Sequence, residues 1–319
     1  MQDNPFDKAC RYLIKLDPAG VLAWLLRVGI ASFTFIRWLD TRRLAFPGQP
    51  DRTCDTVAHV ERLGDNHRPW SIVAEFNIEP DALMFGRMLG YLGTLWTEEK
   101  PSKERGDRFE LGALLVNLTG CGNSSRCSDW PATGMRSDLN IAERNLSMYD
   151  AEQVLRDIAD GTTTRTVLPW IPLMRNGGDL GTIEKWKELA SAEPIAQRRA
   201  DYGGLVLVFA EAANCWDDWK LALKEWNVIE SKQVKEWQEQ ARKDGRQEGR
   251  QEGRQEGQRE TSLSSLLAVL NDKFGTLPDE VPNHLKAIGD STVLQQLLLK
   301  AVRSGSLEDF QKQIPNGMK

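Results

Sequence analysis

The chain has 319 residues, 40% of them hydrophobic and 27% charged, with a formal net charge of -5. This is the balance of an ordinary folded protein: it argues against wholesale disorder, and it offers no bulk positive charge for nucleic acid, whose binding rests largely on cationic contacts with phosphate. Five widely spaced cysteines (Cys10, Cys54, Cys121, Cys127, Cys215) and only three histidines argue against a disulfide framework and a His-rich metal centre, and point to a reducing, cytoplasmic setting.

In chain order, Phe6, Ala9, Cys10, Leu13 and Ile14 recur at helical spacing, with Asn4 placed to cap the helix and Pro5 in its first turn. The opening Met1-Gln2-Asp3-Asn4-Pro5 lacks the basic-then-apolar pattern of a secretory signal. A second helix is expected after Asp17-Pro18. The longest apolar stretch, Val21 to Ile36, is broken by Arg27 and too short to span a bilayer, so it reads as a buried helix followed by a connection, and no membrane partner is expected.

Cys54 to Val60 alternates with strand period, Gly64-Asp65-Asn66-His67 supplies turn chemistry, and Trp70 to Asn77 reads as a second strand. Asp81 to Trp96 is helical, with Leu83, Met84, Met88, Tyr91, Leu92 and Leu95 on one face and Arg87 one turn before Tyr91. Glu110 to Leu118 is apolar nearly throughout and is expected to lie centrally, beside the Glu75 strand. Asn140 to Leu146 suggests another strand, Asp150 to Asp160 a helix, and Ala200 to Trp219 one buried helix closing the core. Strands mixed with helices give an α/β or α+β core, with helices on both faces of a short mixed sheet.

Trp216, Trp219, Trp226 and Trp237 punctuate a charged helical region and read first as packing anchors. Gly-Arg-Gln-Glu then repeats from Gly245 to Glu256. On a helix its arginines stack on one another, as do its glutamates, and each glycine costs about 1 kcal/mol relative to alanine. Either this is a flexible spacer or a second chain supports the helix. Beyond Thr261 lie an amphipathic helix ended by Gly275 and further helical pieces at Val293 to Val302 and Leu307 to Ile314. The expected organisation is a core domain over 1-230, a charged helical linker over 231-260, and a small helical domain over 261-319. The last favours docking or self-association, hence a homo-oligomer.

Asp55 and Glu75 stand out because an acid in an apolar strand needs a partner. Two carboxylates on neighbouring strands resist joint ionisation unless a cation lies between them, and Mg²⁺ or Mn²⁺ suits oxygen donors. The alternative on spacing alone is that both acids face solvent. His59 reads as structural. Two basic groups, Arg37, Arg42 and Arg43 and then Lys100, Lys103, Arg105 and Arg108, either rim such a site or are solvated loops.

The runs Arg52-Thr53-Cys54-Asp55-Thr56-Val57, Val73-Ala74-Glu75-Phe76-Asn77-Ile78-Glu79-Pro80 and Arg87-Met88-Leu89-Gly90-Tyr91-Leu92 resemble the PD-(D/E)XK nuclease superfamily, and within it the Rpn group of recombination-promoting nucleases and putative transposases. Pro5-Phe6-Asp7-Lys8, Leu168 to Met174 and the Gly-Arg-Glu repeat extend the similarity along the chain, and the tail resembles the small helical domain of unknown function that often follows. The resemblance implies a restriction-endonuclease-like fold and a Mg²⁺- or Mn²⁺-dependent DNA endonuclease. It assigns Asp55, Glu75 and the Phe76 carbonyl to the metal and Asn77 to the attacking water, with Asp7 as an auxiliary acid, Tyr91 beside them, and Arg87 either touching phosphate or, the favoured reading, pairing with a structural acid. Asn77 stands where the family usually has Lys or Gln, so the resemblance also allows a degenerate protein that binds DNA or assembles without cutting.

Overall fold

Helix α1 (Pro5–Leu16) begins where Asn4 Oδ1 accepts the Phe6 N–H at 2.9 Å and Pro5 fills the first turn. Helix α2 (Pro18–Leu26) is capped in the same way by Asp17, which accepts from Gly20 N–H, and it stops at Arg27 in the left-handed conformation, φ 58°. The computed structural model describes residues 4–41, 45–46, 49–64, 68–101, 108–224, 226, 232–275, 277–278, 280–312 and 314.

The strands are β1 (Phe33–Trp38), β2 (Ala45–Phe46), β3 (Gln49–Thr53), β4 (Thr56–Arg62), β5 (Trp70–Asn77), β6 (Glu110–Asn117), β7 (Arg126–Trp130), β8 (Met135–Leu139) and β9 (Ala142–Asn145). Five form one mixed sheet in the order β1-β4-β5-β6-β9. β1 pairs with β4, and β4 with β5, in antiparallel fashion, whereas β5, β6 and β9 are parallel. β2 with β3, and β7 with β8, make separate two-stranded ribbons.

Both faces of this sheet are covered, which is why its central strands read as continuous apolar runs. Val57, Val73 and Leu115 pack on one face against Met84, Met88, Tyr91 and Leu95 of α3 (Met84–Glu98). Ala58, Ile72, Ala74, Phe76, Leu114 and Val116 point the other way, into a larger core shared with α1 and α2. That core is completed by α4 (Ala151–Ala159), a 3-10 stretch over Arg165–Leu173, α5 (Leu180–Ser191), α6 (Ala196–Ala212) and α7 (Trp216–Ala222).

The chain divides into two units, Met1–Lys243 and Asp244–Lys319, and α8 (Lys232–Phe274) runs across the division. The second unit adds α9 (Glu280–Lys286), α10 (Ser291–Arg303) and α11 (Leu307–Gln311) around Leu266, Leu270, Leu285, Leu294, Leu297 and Phe310. Gly275, at φ 76°, ends α8 where only glycine adopts the required backbone without strain. No helix among the described residues is long and apolar enough to cross a membrane.

Several expectations are corrected. The connection after α2 contains β1: the turn at Arg27 ends the helix, and the aromatic, β-branched run from Phe33 then pairs with β4. Asp55 lies one residue before β4 rather than inside a strand. The single helix expected over Ala200 to Trp219 is two, because Asn214 takes φ 55° and breaks α6 from α7. The ribbon β7–β8 is exposed throughout except at its end, so no buried periodicity marked it. The turn residues Asp65, Asn66 and His67, and Arg42, Arg43, Lys103 and Arg105 of the basic groups, lie outside the described residues.

Candidate functional site

The register that pairs Thr56 with Ala74 sets Asp55 against Glu75 where β4 begins. The Asp55 N–H donates to Glu75 Oε1 at 2.9 Å, and the Phe76 N–H donates to Asp55 Oδ2 at 2.9 Å. Each acid therefore takes a main-chain donor from the other's segment. Because the N–H and C=O of one strand residue point to the same edge, the Phe76 carbonyl faces the Asp55 side, where β4 has ended.

Glu75 shares its face of β5 with Val73 and Asn77, under α3, and is only 2% exposed. From α3, Arg87 sends Nη2 to Glu75 Oε2 at 2.8 Å and Nη1 to Asp81 Oδ2 at 2.9 Å. Tyr91, fully buried one turn later, hydrogen-bonds Arg87. From α1, Arg11 Nε stands 4.0 Å from Asp55 Oδ1 and donates to the Asp7 carbonyl.

The electrostatics are those of crowded acids. Burial, and then repulsion from Asp55, push Glu75 up to about 8, even with Arg87 pulling the other way. Burial also raises Asp55, restrained by the Phe76 N–H and by Arg11 and Arg87. Asp7 rises to about 7, through burial first and Asp55 second. Ionised, Asp7, Asp55, Glu75 and Asp81 are four negative charges facing Arg11 and Arg87, an excess of acid over base among these described residues. A divalent cation matches that excess. Among the described residues no three His, Cys, Asp or Glu side chains form a complete ion cage. Two carboxylates and a main-chain carbonyl, with water filling the rest, are still the donor set that a small, hard ion such as Mg²⁺ takes. The residues fit such an ion.

Asn77 occupies a different setting. Its Nδ2 is buried and has no partner among the described residues. In register beside it on β6 stands Asn117, and beside that, on β9, Asn145. Asn117 Nδ2 donates to Asn145 Oδ1 and to Glu143 Oε1, both at 2.7 Å, while its own Oδ1 has no partner among the described residues. Asn77 thus closes a row of three asparagines at the C-terminal ends of the parallel strands.

The structure therefore brings Asp7, Asp55, Glu75, Phe76, Arg87 and Tyr91 together, with Asn77 at the margin. Sequence reasoning missed Arg11, which faces Asp55, Asp81, which holds Arg87, and Asn117 and Glu143. The spacing of Asp7 and Arg11, one helical turn apart, was the available signal for Arg11. His59 is buried edge-on against Phe109, with ring centroids 4.9 Å apart. Cys121 and Cys127 are free and exposed. No protein family, curated protein or solved structure matches this chain.

Proposed function

We propose that the chain is a metal-dependent DNA endonuclease of the mobile-element type, with a restriction-endonuclease-like core, hydrolysing phosphodiester bonds. The observation that carries this reading is the reciprocal bonding of Asp55 and Glu75 at the start of β4, with more acid than base around them. The mixed sheet covered by helices on both faces supports it. Asp55, Glu75 and the Phe76 carbonyl would hold Mg²⁺ or Mn²⁺. When bound, such an ion lowers the pKa of water and offsets charge on the scissile phosphate.

The chain's own residues do the rest. Arg87 pairs with Glu75, and its guanidinium would offer donors to a phosphate oxygen were Glu75 to hold an ion. Asp7, pushed up to about 7, exchanges a proton near neutrality and would serve as the auxiliary acid beside Asp55. Asn77 offers an uncharged donor where a lysine would bring charge, so turnover is slow on this reading.

One observation favours a second reading. Arg87 already satisfies the outer oxygen of Glu75, as it would in a site kept for folding, so a binding or assembly protein without turnover is the rival, with self-association through the C-terminal helices. Nicking of supercoiled plasmid with Mg²⁺ separates the two. The nuclease reading expects activity that Asp55→Ala abolishes and Asn77→Lys raises; no nicking by the parent chain or by Asn77→Lys leaves only the rival.

A further inference from the structure

Away from the acids, a cleft of about 680 Å³ opens between α6, α7 and the first turns of α8, all within the first unit. Its size is that of a small-ligand site. Its walls are fixed by packing. Trp237 is buried edge-on against Tyr12, with ring centroids 5.5 Å apart, and Gln238 Nε2 donates to the Gly204 carbonyl at 2.9 Å. These contacts hold the start of α8 against α6 and leave Arg242, one turn on, facing the cleft.

The charge inside the cleft is the reverse of the chain's. Among the described residues, Lys220, Lys224 and Arg242 line it against one acid, Asp217, in a protein of net charge -5. Two of these cations are held by one ring. Lys220 Nζ lies 4.6 Å and Arg242 Cζ 4.1 Å from the centre of Trp216. Cation–π attraction holds both cations at the ring, and that spends none of their hydrogen-bonding capacity. Lys and Arg donors are what a phosphate group takes.

The opposite wall is aromatic. Trp226 packs at a tilt against Trp186, with ring centroids 5.5 Å apart, and lies against Gly203, where a Cβ would come within 2.7 Å of the indole nitrogen. The Trp226 N–H is buried without a partner among the described residues. Leu207 and Leu223 complete an apolar surface beside the cations. An anion alone would use only half of these features.

We propose that this cleft binds a small phosphate ester carrying a ring, of the nucleoside monophosphate class, with the phosphate on Lys220 and Arg242 and the ring on the Trp226 side. The site is independent of the acids and of any nuclease activity.

The test uses the full chain in EDTA, titrated calorimetrically with adenosine 5′-monophosphate, adenosine, inorganic phosphate and a short oligothymidylate. The monophosphate should bind saturably and at least about tenfold more tightly than adenosine or phosphate, the signature of two subsites used together. Lys220→Ala with Arg242→Ala should weaken it by about tenfold or more, while Asp55→Ala leaves it unchanged. Should the double variant unfold, Lys224→Glu, at an exposed position, should still weaken binding several-fold. The proposal is overturned if the monophosphate gives no saturable signal, if adenosine binds as well, if the charge variants bind as the parent does, or if only the oligonucleotide titrates.

Discussion

Raising the pH of the ion-free protein from 5 to 8 should destabilise its first unit, because the fold holds acids that resist ionisation. The sign follows from linkage. Glu75 rises from 4.5 to about 8 and Asp7 from 3.8 to about 7, so the folded state keeps protons that the unfolded chain has already lost. The stability this gives is fully present below about pH 4 and is lost as pH climbs through 7 and 8. At about 1.4 kcal/mol per tenfold change in proton affinity, each acid represents at most about 4 to 5 kcal/mol. The two rises share the field of Asp55, and Asp81 and Arg11 lie at the solvent edge, where water screens charge. Half the sum, about 4 kcal/mol, is therefore the working figure. With a urea slope of about 2 to 3 kcal/mol per molar, the midpoint should fall by roughly 1.5 to 2 M. All 11 tryptophans lie at or before Trp237, so intrinsic fluorescence reports on the first unit alone. The double variant Asp7→Asn, Glu75→Gln, of nearly unchanged volume, should lose most of that pH dependence, and Mg²⁺ should restore the parent at pH 8. A parent midpoint that is flat or rising between pH 5 and 8 in EDTA would refute the reasoning, as would the same slope in the double variant.

Arg87→Met should cost about 3 to 5 kcal/mol at pH 8, where it leaves Glu75 and Asp81 without their guanidinium, and much less at pH 5, where Glu75 is protonated; urea melts at both pH values check this. Gly177→Ala should destabilise by about 3 kcal/mol or more, since a Cβ there would stand 2.2 Å from the Ile171 carbonyl oxygen and backbone must move; thermal melting followed by fluorescence reads the loss. A peptide spanning Trp237 to Glu260 should be mostly unfolded at micromolar concentration, its glycines costing about 1 kcal/mol each; high helicity by circular dichroism would show that the repeat needs no support from the rest of the chain.

The parts of this fold that were legible in the sequence are those where period and burial agree. The strands at Trp70 and Glu110 and the helix through Met88 and Tyr91 alternate or recur against two cores, and the structure gives them within a few residues of the expected bounds. β1 was hidden because its apolar residues continue those of α2, and the boundary depends on one backbone angle at Arg27 that composition does not encode. The break at Asn214 is of the same kind. At the site, the convergence of Asp55 and Glu75 was legible because hairpin pairing fixes which residues face one another. That Arg87 pairs with an acid was one of the two readings the sequence offered; which acids it takes, and the row Asn77, Asn117, Asn145, were not legible, since they depend on how α3 sits on the sheet and on parallel register between distant strands. The Trp216 cluster was read as packing. Trp219 and Trp237 do pack inside, whereas Trp216 spends its face on two cations from different helices.

The most direct measurement is calorimetric titration of the ion-free chain with Mn²⁺ at pH 8 in two buffers of different ionisation heat. Because Asp7, Asp55 and Glu75 give up protons as they meet a cation, uptake of about one ion per chain should release protons and should vanish in Glu75→Gln. No saturable uptake by the parent, or uptake that Glu75→Gln leaves intact, would contradict the assignment of these acids to a cation.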